Sequence, residues 1–226
     1  MLIAIGLAAL VAIILLPTAW VRWTLARHGS ERQDLPGTGG ELAKHLIEYY
    51  QLAGVSVERT DEGDHYDPGS KTVRLRSNHF DGRSLSAAAV AAHEVGHAIQ
   101  DARDERALRL RQTLARFASG TNKIAGWFFI AAPVLAILAR TPAAFIALVA
   151  IGIALLAIDV IVNLVTLPVE FDASFGKALP ILREGKYLKD SDLPAVKSVL
   201  RAAALTYVAA ALLSLVNLAR WVRLLR

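Results

Sequence analysis

The sequence has no cysteine, and its only methionine is Met1. Without cysteine there is no disulfide framework, no thiol nucleophile and no thiolate ligand for a metal. Any metal must therefore be held by histidine and carboxylate. The lack of an internal methionine excludes metzincins, whose metal site needs a methionine turn. No internal repeat and no low-complexity tract is present. No nucleic-acid-binding motif accompanies the basic balance of +5 and pI of about 9.7. The arginines instead flank apolar runs: Arg22 and Arg27 follow the first, and Arg103, Arg106, Arg109, Arg111, Arg116 and Lys123 precede the second. Juxtamembrane charge facing an anionic leaflet accounts for them without nucleic acid.

What the chain has in excess is hydrophobic surface, 54% of residues, with a mean hydropathy of +0.42. It is concentrated in residues 2–21, 124–139, 142–167 and 202–219, and each run approaches the roughly 20 apolar residues that cross a bilayer. The expected architecture is a mainly α membrane protein. About four transmembrane helices would carry a small α+β zincin-like domain with a short β-sheet. Residues 1–23 form an anchor, 24–123 the zincin-like domain, 124–167 a transmembrane hairpin, 168–201 a membrane-proximal helical segment, and 202–226 a last transmembrane helix with a basic tail. Charge follows the first run rather than preceding it, so the run reads as a retained anchor with Arg22 and Arg27 in the cytoplasm. The hairpin link, Arg140-Thr141-Pro142, is too short for a domain, so the chain after residue 167 returns to the side it left.

Residues 28–38 read as a linker. Thr38 and Glu41 form a capping box that opens a helix over about 40–53, ended by Gly54. His45 falls on its apolar face and reads as a packed core histidine. Alternation over 55–58, 65–67 and 71–76 predicts two or three short strands. Ser84 or Ser86 caps the next helix, which is expected to run to about Ala118 and break at Ser119-Gly120. Residues 103–118 read as a helix grazing the membrane or as an ordinary amphipathic helix.

That helix carries the chemistry. His93-Glu94-Val95-Gly96-His97 places two imidazoles four residues apart on one helical face, where they can grip one zinc ion, with Glu94 beside it. A catalytic zinc needs a third protein ligand and an open position. Gln100 and Arg103 stand where a metzincin would continue with glycine and histidine. A carboxylate on a later helix is the remaining common solution, and Glu170, at the foot of the hairpin, is the candidate. Its rivals are His65, Asp67, His79, Asp101 and Asp172. Inside the third run, Asp159 and Asn163 share a helical face. A carboxylate in hydrocarbon is a functional candidate by default, against the alternative of a packing residue.

The segments His93–Gln100, Asp64–Pro68, Lys71–Leu75, Leu167–Ser174 and Ala202–Ala211 together resemble the YugP-type family of bacterial membrane zinc metallopeptidases. Glu170-Phe171-Asp172-Ala173-Ser174 is similar, more distantly, to the Glu-Phe-x-Ala-Asp motif of HtpX-type membrane proteases. There the glutamate binds zinc and the aspartate supports a ligand histidine; here Ser174 stands in the aspartate's place. Asp172 or Ser174 is then the candidate support. The resemblance implies a membrane zinc endopeptidase in which His93, His97 and Glu170 hold Zn2+ and Glu94 is the general base toward a water. His65, Tyr66 and His79 are candidate donors to the oxyanion. The implied partners are a peptide or protein substrate, membrane proteins among the candidates, and the lipid bilayer. The implied location is the inner (plasma) membrane, multi-pass, with the site on the cytoplasmic side. The alternative is a zinc-stabilised scaffold without turnover, in which Glu94 is dispensable.

Overall fold

A computed structural model describes residues 16–138 and 141–222. A first helix, α1, covers residues 16–27. It is followed by α2 (Gly39–Tyr49), strands β1 (Ser56–Thr60), β2 (His65–Asp67) and β3 (Thr72–Arg76), a single turn α3 (Ser77–Phe80), and α4 (Leu85–Ala102). Two long helices come next, α5 (Arg106–Leu138) and α6 (Pro142–Phe171). A π-helix (Asp172–Ala178), α7 (Leu179–Glu184), a 3-10 turn (Asp190–Asp192) and α8 (Leu193–Val222) complete the order. The molecule is mainly helical with one small sheet, as the sequence implies.

The capping box on α2 is complete: Glu41 N–H donates to Thr38 Oγ1 at 3.2 Å, and Thr38 N–H donates to Glu41 Oε2 at 2.8 Å. The sheet runs in the order β1-β3-β2. β1 is parallel to β3, and β2 is antiparallel to it with Tyr66 opposite Val73. The strand nearest in sequence to the sheet's centre is therefore not its middle, and β2 is left as an edge.

α4 is the core of the fold. Every residue from Leu85 to Gln100 is buried. Ser84 caps it, accepting from Ala87 N–H at 3.1 Å. Ser86 instead donates to the Leu25 carbonyl at 2.8 Å, which ties α4 to α1. A buried helix needs small residues if neighbours are to approach on all sides, and Ala87, Ala88, Ala89, Ala91, Ala92, Gly96 and Ala98 supply them. Around it pack Leu46 of α2, Val73 and Leu75 of the sheet, Leu182 of α7, and Val196, Val199 and Leu200 of α8, all essentially inaccessible.

The structure departs from the sequence reading in three places. The helix expected to reach residue 53 and end at Gly54 stops at Tyr49, where Gln51 takes the left-handed conformation (φ 51°) and Leu52 N–H reaches the Ile47 carbonyl. The motif helix stops at Ala102 rather than near Ala118. Asp104 takes a left-handed conformation (φ 53°), Glu105 N–H reaches the Gln100 carbonyl and Asp104 N–H the Asp101 carbonyl. This is a Schellman cap, with aspartate in the place usually taken by glycine. The chain then restarts as α5 and passes through Ser119-Gly120 unbroken, because one glycine costs a long helix only about 1 kcal/mol. The third departure is His45. It is exposed, and its Nε2 lies 2.8 Å from the Tyr187 hydroxyl.

Among the described residues, two helical stretches are long and apolar enough to cross a membrane: α5, and α6 with its continuation to Glu184. Large apolar side chains such as Trp127 (75% exposed) and Ile137 (82%) face outward on α5, as lipid contact would require. These stretches contain residues 124–138 of the run expected at 124–139 and the whole run 142–167; residue 139 lies outside the described residues. Residues 1–15 of the first expected run lie outside the described residues. The last run, 202–219, is helical within α8. α6 packs against both α5 and α8, and Asn163 on α6 donates to Ser214 on α8 at 3.1 Å. Asp159 is half-buried one turn earlier.

Candidate metal centre

His93 and His97 project from α4 with their rings 4.7 Å apart, edge to face. Glu170 comes from the last turn of α6. Its Oε2 is 3.2 Å from His93 Nε2 and 3.4 Å from His97 Nε2. All three side chains are buried, and their ligating atoms lie within 4.8 Å of one another. Among the described residues they are the one group of three or more histidine and carboxylate side chains that could share an ion.

The hydrogen bonds behind the imidazoles fix what the front faces can do. Gln100 Nε2 donates to the Val169 carbonyl at 3.0 Å and to Asp172 Oδ2 at 2.8 Å. Its Oε1 must therefore be the atom 2.9 Å from His97 Nδ1, so that nitrogen carries the proton. Ser174 Oγ donates to the Leu200 carbonyl at 3.3 Å, so it accepts from His93 Nδ1, 3.1 Å away. With each Nδ1 donating backward, the two Nε2 atoms are left facing the same Glu170 oxygen, on the side from which a metal would be held. The donor set, two histidine nitrogens and one carboxylate with the tautomers held from behind, suits zinc.

The loop and helix geometry that allows this convergence is local. After Phe171 the chain widens into a π-helix, a form often found at functional sites. It lies directly against α4 at Gly96, where an added Cβ would come within 2.9 Å of the Ala173 carbonyl oxygen. Lys177 is buried beneath, paired with Glu105 at 3.0 Å and with Asp172. A chain of contacts thus runs from Lys177 through Asp172 and Gln100 to His97.

Glu94 faces the same cleft, a cavity of about 400 Å³ that also contains Asp64, His65, Tyr66 and Arg111. Burial pushes its carboxyl up to about 7; His93 and the Tyr66 N–H oppose this, and Glu170 and Asp64 reinforce it. The Arg111 guanidinium stands 3.6 Å from Glu170 Oε1. That is an ion pair beyond hydrogen-bond reach, and Oε1 has no hydrogen-bond partner.

The other residues singled out in the sequence are engaged elsewhere. Asp67 holds Arg74 at 2.9 Å and Ser70 at 2.7 Å. Asp101 accepts from the Tyr66 hydroxyl at 2.9 Å, which turns that hydroxyl away from the metal ligands. His79 Nδ1 is 2.8 Å from Asp64 Oδ2. His65 Nδ1 is 2.8 Å from the Gly63 carbonyl, with its ring still on the cleft. Asp172 reaches the site only through Gln100. Of the two candidate supports for a ligand histidine, Ser174 serves His93 directly and Asp172 serves His97 at one remove. Gln100 and Arg111 were not recognised from sequence as site residues. Gln100 had a signal, since it stands three residues after His97 on one helical face; Arg111 had none.

A buried pair of histidines from one helix, a carboxylate from a later helix and a glutamate beside them define the zinc-peptidase class of metal centre. Comparison with known proteins agrees. The family described as "Putative neutral zinc metallopeptidase" matches residues 2–226. The chain is also 41% identical over 187 residues to the "Putative membrane protease YugP" of Bacillus subtilis (strain 168), covering 82% of this chain and 79% of that protein. The chain belongs to this neutral zinc metallopeptidase family. No solved structure matches it.

Proposed function

We propose that the protein is a membrane-embedded, zinc-dependent endopeptidase. His93, His97 and Glu170 are the ligands and Glu94 is the general base. The observation that carries this reading is the pair of histidines, oriented from behind through Nδ1, whose Nε2 atoms meet one Glu170 oxygen, with Glu94 on the same cleft. Zinc, when bound, supplies Lewis acidity toward a water and toward the scissile carbonyl. Glu94 accepts the water's proton and returns it to the leaving amine. A carboxyl raised by burial is poised for both halves of that transfer near neutral pH, and the cation's charge draws it down toward the basic form.

The free edge of β2 borders the cleft. An extended peptide can add to it as a further strand, with main-chain hydrogen bonds holding the scissile bond over the ligands. Tyr66 N–H lies close enough to Glu94 to affect its charge, which brings the edge next to the base. His65 and Arg111, the latter paired with Glu170, both line the cleft and are candidate donors to a developing oxyanion, whereas the Tyr66 hydroxyl and His79 are engaged with carboxylates. The two candidate spans and the relative's name support residence in a membrane with several crossings. The arginines after residue 21 and before residue 124 support a site on the cytoplasmic face.

Replacing Glu94 by Gln is the test. Zinc content should stay at one per chain, while hydrolysis of an unstructured protein substrate should fall by at least about two orders of magnitude. Retained hydrolysis would refute the mechanism. A wild-type protein that holds zinc and cleaves nothing in a broad peptide library would favour the scaffold reading.

A further inference from the structure

The cleft above the metal ligands does not end at β2. A second cavity, of about 600 Å³, lies beyond it and includes Asp67, Pro68, Gly69, Asp101 and Arg116. The two share His65, Tyr66 and Arg111, so they adjoin along the free edge of the strand. Their linings differ. On the metal side, besides the ligand set and Asp64, Arg111 and Asn163, the walls include the apolar Val21 and Leu25 of α1, Val90 of α4 and Ala203 of α8. The far side lacks such a group of aliphatic side chains and carries Asp67, Asp101, Gln112 and Arg116 beside Pro68, Gly69 and Ala115. Asp67 is neutralised by Arg74 and also bound by Ser70, while Asp101 accepts from the Tyr66 hydroxyl and keeps its charge, set against Arg111 and Arg116 on the same cavity. The exposed Arg116 faces this side with no ionic or hydrogen-bonding partner among the described residues.

We infer that the two cavities are halves of one substrate trough with a set polarity, which takes an acidic residue on the N-terminal side of the scissile bond and a large apolar residue on the C-terminal side. The direction follows from the strand. Antiparallel addition is the stabler ladder. β2 runs from His65 to Asp67, so an antiparallel peptide enters beside Asp67–Gly69 and leaves beside Asp64–His65. Its N-terminal residues then lie near Arg116, and the residues after the scissile bond lie against Val21, Leu25, Val90 and Ala203. Burial of one large side chain there contributes to selectivity on the scale of a hydrophobic specificity pocket. The charge term is smaller, because Arg116 is solvated.

This inference rests on the peptidase reading, and two measurements keep the two separable. The full-length protein in detergent micelles, loaded with zinc, is given two peptides of identical composition. One carries Glu-Glu before and Leu-Phe after the central bond, and the other has the blocks exchanged. Cleavage sites are located by mass spectrometry. The acidic-then-apolar peptide should be cleaved at the central bond with kcat/KM about tenfold higher or more. Arg116→Glu should lower kcat/KM for that peptide roughly fivefold, and should raise it for a version with Lys-Lys in place of Glu-Glu. Equal rates for the two orders, a preference for the exchanged order, or an Arg116→Glu effect that ignores substrate charge would overturn the trough. Fluorescence anisotropy with the Glu94→Gln variant measures binding alone. Ordered binding without wild-type hydrolysis keeps the trough and refutes the peptidase; hydrolysis without order preference does the reverse.

Discussion

Gly96 sits between the two histidines proposed to bind the metal, and replacing it by alanine tests whether the close approach of the π-helix builds the site. In an ordinary helix interior the change would stabilise by about 1 kcal/mol, since glycine loses more backbone freedom on folding. Here the new Cβ would lie 2.9 Å from the Ala173 carbonyl oxygen and 3.4 Å from both Ala173 Cα and Lys177 Cβ. The oxygen contact is short of van der Waals separation by about half an ångström. The obstacle is backbone, which cannot rotate away. Overpacking of this kind costs about 1–3 kcal/mol, so the net change is a destabilisation of about 0–2 kcal/mol once the helical gain is subtracted. The displaced segment carries Ser174 and follows Glu170 directly, so the shift reaches one ligand and the support of another. Zinc affinity should fall about tenfold or more, on the scale seen when ligand supports are disturbed. Zinc's contribution to stability would then drop by about 1.4 kcal/mol at a fixed metal concentration. The assay is zinc competition against a chromophoric chelator, combined with thermal melting with and without metal. Gly120→Ala is the control, because nothing lies within 4 Å of its Cβ position. It should stabilise modestly and leave zinc affinity alone. If Gly96→Ala melts higher than the parent and binds zinc equally well, the proposed role of the close approach is wrong.

Gln100→Leu leaves His97 Nδ1–H, the Val169 carbonyl and Asp172 without a shared partner, and zinc affinity should fall roughly 10- to 100-fold by chelator competition. Glu170→Gln should abolish stoichiometric zinc binding at micromolar metal, read by elemental analysis; full occupancy would remove Glu170 from the ligand set. Asp64 supplies a pH test. Burial acts to raise its carboxyl, but His79 and the Arg76 N–H outweigh this and hold it below the usual 3.8. A depressed folded value means that its stabilisation is complete above the unfolded value and is lost as pH falls through the folded one. Melting temperature should therefore decline more steeply below about pH 4 in the parent than in Asp64→Asn. Parallel declines would show that the Asp64–His79 pair contributes nothing.

The site joins two parts of the molecule. His93 and His97 belong to a helix packed among α2, the sheet, α7 and α8, whereas Glu170 ends a helix of membrane-spanning length. The Glu170 ligand reaches the site only if α6 is placed correctly against α4. Zinc binding and insertion should therefore stabilise each other, and chelation should lower the melting temperature of the whole unit rather than loosen a local loop.

Local chemistry was legible in the chain alone. The two histidines and the glutamate follow from helical spacing. The capping box at Thr38 and Glu41, the Ser84 cap and the three short strands follow from short-range rules that act within a few residues. The apolar runs at 124–139 and 142–167 are legible from the length a bilayer demands, and Glu170 stands out in the chain as one candidate among several carboxylates and histidines; the fold is what brings it, and not its rivals, to His93 and His97. What tertiary structure decided was everything set by contacts distant in sequence. Strand order left β2 at the edge, although nothing in its composition says so. The end of α4 at Asp104 depended on a cap that residue preferences disfavour. His45 lies exposed and meets Tyr187, far along the chain, a contact that helical spacing alone does not reveal. Gln100 became the support of His97 only because Val169 and Asp172 arrive beside it and take both its amide protons, leaving its oxygen for the imidazole. Spacing on one helix can state which residues face the same way; only packing between helices states what they face.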